Sequence, residues 1–89
     1  MEEYGIAAFR SRQQVISFEE ALRRLGVPAR VISTPRDVAL GCGLSVRFDR
    51  RYLKSVQSAL NGQRGDQLVG LYLVTPAGGR NRLTAVSLR

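Results

Sequence analysis

Apolar positions along the chain recur with two periods, and the period changes where turn residues fall. Tyr4 to Phe9 (YGIAAF) is a short apolar run that predicts a first strand. Ser11 then opens SRQQ, a Ser-x-x-Gln capping box whose hydroxyl and amide satisfy free backbone N–H groups. Val15, Phe18, Leu22 and Leu25 follow at spacings of three and four, one apolar face of a helix. Gly26 fits the left-handed position that ends such a helix, and Pro28 prevents its resumption.

Ala29 to Ser33 (ARVIS) is rich in β-branched residues and predicts a second strand. After the loop TPRDVALGCG, Leu44, Val46 and Phe48 alternate along a third strand. Asp49 is placed to cap a second helix, RRYLKSVQSALN, with Leu53, Val56 and Leu60 on one stripe and Asn61-Gly62 as its stop. Leu68 to Val74 (LVGLYLV) predicts a last strong strand.

The order strand, helix, strand, strand, helix, strand satisfies the layer rule for an α+β domain, and it is also the ferredoxin-like βαββαβ order. The expected architecture is a four-stranded antiparallel sheet with two helices on one face, forming a single domain over residues 1–75. Residues 76–89 form an Arg-rich extension, either mobile or paired as an additional edge strand through RLTAVSL. An open sheet edge or this tail leaves room for a homo-oligomer.

At 89 residues the chain suits one domain with a lean core and little room for a deep internal pocket. The net charge of +7 favours acidic partners, but no continuous basic run concentrates it, so a solvated surface or the genome's base composition is the preferred account. MEEYGIAAF has no apolar core of signal-peptide length, and no apolar run is long enough to span a bilayer, so the expected location is the cytoplasm with no membrane partner. A lone cysteine cannot form an internal disulfide.

Histidine is absent, which removes Ser-His and Cys-His arrangements, and one cysteine without histidine makes no zinc site. Neither a P-loop nor a G-x-G-x-x-G pattern occurs. These gaps argue against a stand-alone enzyme and call for no metal or cofactor. Phe48 and Tyr72 on strands invite comparison with RNA-binding sheets, but the pattern of aromatics among Lys, Arg and Gly is missing from LSVRF.

The loop between the second and third strands holds the remaining chemistry. Thr34-Pro35-Arg36-Asp37 matches a capped start with Pro at the first helical position, and predicts a single turn through Val38 to Leu40 stopped at Gly41. Cys42 follows, between Gly41 and Gly43. Gly41 can take a positive φ, and the two missing side chains would let another molecule approach the sulfur. Arg36 and Arg47 are the cations in this region that could favour a thiolate, whereas the end of a helical turn would disfavour it. A packed small hydrophobe and a reactive thiol both remain open readings of Cys42. The loop from Thr34 to Gly43 could also act as an anion nest, though it offers few polar groups.

The stretch GVPARVISTPRDVALGCGLSVRFD resembles the selenium/sulfur carrier-like family of small bacterial proteins. The features that carry the resemblance are Gly26, Thr34, Pro35, Arg36, Cys42, Gly43, Arg47 and Phe48, within a likeness that runs from Tyr4 to Val74. The resemblance implies that Cys42 bears a persulfide or selenopersulfide between a donor and an acceptor enzyme. Gly43 would then give access, and Arg36 would steady negative charge or contact a partner. The tail after Val74 departs from the family pattern. The competing reading is a non-catalytic basic module that docks on protein or RNA, with Cys42 structural and with Arg80, Arg82 or the second helix carrying the contact.

Overall fold

The computed structural model describes residues 3–35, 43–62 and 68–87. In chain order the elements are β1 (Tyr4–Phe9), α1 (Arg12–Arg24), β2 (Ala29–Ser33), β3 (Leu44–Asp49), a 3-10 turn (Arg50–Tyr52), α2 (Leu53–Gly62), β4 (Leu68–Ala77) and β5 (Arg80–Ala85). The fold is α+β, with one five-stranded antiparallel sheet in the order β2-β3-β1-β4-β5.

β1 is central, paired to β3 on one side and β4 on the other, and Gly5 to Phe9 are all buried. Small residues suit that place. Gly5 lies opposite Phe48, whose ring atoms come within 2.2 Å of where a Cβ on Gly5 would sit. The ring therefore occupies the space that any side chain on Gly5 would need.

Val15, Phe18 and Leu22 of α1 and Val56 and Leu60 of α2 join Ala7, Phe9, Val46, Phe48 and Leu71 of the sheet in one core. Both helices thus cover the same face. Phe9 and Phe18 meet in a tilted ring contact at 5.4 Å between centroids, a favourable aromatic geometry. The Ser11 hydroxyl accepts from Gln14 N, as the capping box predicts, and Gly26 ends α1 at φ +80°. Leu25 departs from the predicted stripe. It is the C-cap and 64% exposed, because the chain turns away there and Val27, already past the turn, fills the core instead.

Two further boundaries differ from expectation. Asp49 caps the 3-10 turn, which leads into α2, and does not cap α2 directly. The sheet has five strands where four were expected. β4 runs on through Pro76 and Ala77, turns at Gly78-Gly79, and β5 pairs back along it from Tyr72–Ala85 to Ala77–Arg80. Both turn glycines have positive φ, +53° and +84°, the conformation that a tight two-residue hairpin demands. The segment of residues 76–85 is therefore an edge hairpin, the second of the two alternatives the sequence left open.

The face opposite the helices carries a smaller cluster. Ile6, Ala8 and Val74 are buried there, flanked by Tyr4, Ile32, Val69, Tyr72 and Leu83. Among the described residues no helix is long and apolar enough to cross a membrane.

Replacing Gly5 with Ala forces the buried Phe48 ring aside, and urea denaturation should show a loss of about 1–3 kcal/mol. Gly62→Ala, where nothing lies within 4 Å, should lose no stability.

Candidate functional site

β2 and β3 are joined by the loop that drew attention in the sequence, and its two ends are well defined. The Thr34 N–H donates to Gly43 O at 2.8 Å, closing the hairpin. The Thr34 and Ser45 hydroxyls are bonded at 2.7 Å, and Ser45 is the one buried polar residue of the described core. Thr34 is half-buried and Pro35 lies beside it in the same state. Gly43 is exposed, with φ +87° and open space where a side chain would project. At that φ any L side chain on Gly43 would be strained.

Arg36, Gly41 and Cys42, with the capped turn through Val38 to Leu40, lie outside the described residues. The structure does bring together the two flanks, Thr34 and Gly43, and adds Ser45, which the sequence reading passed over. The signal for Ser45 was present: alternation along LSVRFD puts Ser45, Arg47 and Asp49 on the face opposite Leu44, Val46 and Phe48. What alternation cannot give is the cross-strand register that sets Thr34 beside it.

Arg47 sits elsewhere. It is four residues along β3 from Gly43, roughly 13 Å of extended strand. Its guanidinium carbon lies 3.9 Å above the Tyr4 ring, a cation–π contact on the helix-free face. It stands at one end of a groove of about 330 Å³ lined by Glu3, Tyr4, Pro28, Ala29, Arg30, Arg47, Phe48 and Asp49. Both carboxylates there are already engaged. Glu3 pairs with Arg50 at 2.7 Å and accepts from the Thr75 hydroxyl, while Asp49 accepts from the Arg51 backbone N–H at 2.9 Å. That backbone bond, helped by the Arg51 charge, holds the Asp49 carboxyl below its ordinary range.

The arrangement defines a small open-faced α+β domain whose lone cysteine immediately precedes an exposed, left-handed glycine at the end of a hairpin. The chain belongs to the family described as "Putative Se/S carrier protein-like", which matches residues 4–68. The match takes in β1 through α2 and stops at the first residue of β4, so the β4–β5 hairpin lies almost wholly beyond it. No curated protein and no solved structure matches the chain.

The Thr34–Ser45 pair makes an asymmetric prediction. Thr34→Val leaves the buried Ser45 hydroxyl without a partner and should cost about 1–3 kcal/mol. Ser45→Ala leaves only the half-exposed Thr34 hydroxyl, which water can reach, and should cost less. In the double variant much of the first loss should return, and a double-mutant cycle by urea denaturation measures it.

Proposed function

We propose that the protein is a carrier that holds sulfur or selenium on Cys42 and passes it between a donor and an acceptor enzyme. The observation that carries this reading is the family membership over residues 4–68, a span that includes Cys42. The exposed Gly43 supports it, since a residue without a side chain beside the thiol leaves room for a second active site to approach.

The chemistry asked of the chain is modest. The Cys42 thiolate attacks the outer sulfur of a donor persulfide, the donor S–S bond breaks, and the donor leaves as a thiolate. An acceptor nucleophile then attacks the same outer atom and Cys42 leaves. No net oxidation occurs, and neither step needs a metal, a cofactor or a general base from this chain, so the carrier is not itself an enzyme. A reducing compartment such as the cytoplasm keeps the thiol free. Arg36, two peptide units after Thr34, is the cation assigned to steady the chalcogenide or meet a partner. Arg47, committed to Tyr4 far along β3, is left to other work.

A ferredoxin-like arrangement of the first four strands belongs to the same proposal. The order β2-β3-β1-β4, with both helices packed into one core, supports it. The carrier would present its hairpin loop to the donor and acceptor, and the β4–β5 hairpin, at the opposite edge of the sheet from β2, would leave that loop free.

Incubation with a cysteine desulfurase and cysteine should add one sulfur atom to the wild-type protein by intact mass, removable by a thiol reductant. Cys42→Ser should gain none. No adduct on wild type, or an equal adduct on Cys42→Ser, removes Cys42 as the carrier.

A further inference from the structure

The groove at the far end of β3 has a charge arrangement that the carrier reading does not use. Arg30 and Arg47 are directly opposite each other on β2 and β3. Thr34–Gly43 is a hydrogen-bonded pair, and in an antiparallel ladder such pairs alternate. Counting back four residues makes Arg30–Arg47 a hydrogen-bonded pair as well, with Cα atoms about 5.5 Å apart. Both side chains are exposed and share the helix-free face.

Like charges directly opposite destabilise a sheet unless something neutralises them. Nothing in the described residues does so. Among the described residues the Arg30 side chain has no ion pair or hydrogen bond, and the Arg47 side chain has only the Tyr4 ring. The two nearby carboxylates are taken by Arg50, Thr75 and Arg51. Among the described residues, Arg30, Arg47, Arg50 and Arg51 stand against Glu3 and Asp49, an excess of two positive charges beside the groove. The cation–π contact with Tyr4 also restrains the Arg47 guanidinium, which lowers the ordering a ligand must impose.

We propose that Arg30 and Arg47 form a binding site for a phosphate dianion carried on a small organic body. Two arginines lining one groove offer several N–H donors and a double positive charge, which suit a phosphate dianion better than a single carboxylate. The groove volume falls at the lower end of the range for small-molecule sites, and Pro28, Ala29 and the Tyr4 ring offer an apolar wall for the organic part. The site is separate from the hairpin loop by roughly 13 Å of β3, so it stands whether or not Cys42 carries sulfur.

The test is amide chemical-shift titration of the full chain at low ionic strength with inorganic phosphate, a phosphate monoester such as glycerol phosphate, acetate, and a short single-stranded RNA. Phosphate and the monoester should give saturable shifts centred on residues 28–30 and 47–49, with the monoester tighter. Arg30→Gln and Arg47→Gln should each weaken the monoester about tenfold. Arg23→Gln, on the outer face of α1, should change nothing. Both groove arginines are exposed, so the variants keep the fold, and their amide spectra verify it. Shifts spread over all basic residues, acetate binding as tightly as phosphate, or indifference to the paired substitution would overturn the site. RNA binding far tighter than the monoester, with shifts reaching Tyr72 and β5, would replace it with a nucleic-acid surface.

Discussion

Pairing on both sides of β1 is the constraint from which the rest of the structure follows. A central strand buried on both faces can carry no charge, and YGIAAF carries none. It must also leave room for what packs over it, and Gly5, Ala7 and Ala8 do so. Phe48 lies across Gly5, and Phe18 of α1 meets Phe9 at the other end of the strand. With β1 fixed, β3 and β4 are set in register on either side, and β2 and β5 become the edges.

β3 translates that register into two separate chemical places. One end holds Gly43 and Ser45 and fixes the mouth of the hairpin loop through Thr34. The other end holds Arg47 and Asp49 beside Tyr4, Arg30 and Glu3. The inward-facing Leu44, Val46 and Phe48 anchor both ends to the same core, so neither place depends on the loop for its geometry. A sulfur carrier benefits from this separation. On the carrier proposal, the strand frame holds Thr34 and Gly43, the two ends of the segment that carries Cys42, in a fixed pairing.

Much of this was legible in the residues. The caps at Ser11 and Gly26, the helix stripe from Val15 to Leu22 and the alternation from Leu44 to Phe48 are local signals, and local physics enforces them. Leu25 misled because helical spacing says nothing about where the chain leaves the core. Asp49 is a real cap, but propensity does not separate a 3-10 turn from the helix it precedes. The fifth strand was foreseen only as one alternative, since Gly78-Gly79 marks a hairpin only if RLTAVSL has an edge to pair with. The same limit applies to the site. Arg47 drew notice by its nearness in sequence to the loop, yet four residues of extended chain separate it from Gly43, and its contact is with Tyr4. Arg30 and Tyr4 became its neighbours through register, which no single segment encodes.

The central claim concerns the thiol itself, and its reactivity in the native protein tests it most directly. The rate of Cys42 alkylation by iodoacetamide, followed against pH in the folded chain and again in concentrated urea, separates an approachable thiol from a packed one. The carrier account predicts native and unfolded rates within about tenfold of each other, and a native midpoint at or below the ordinary thiol value of about 8.5. Native protection by orders of magnitude, with alkylation only as fast as the chain unfolds, would make Cys42 a buried filler and contradict the account.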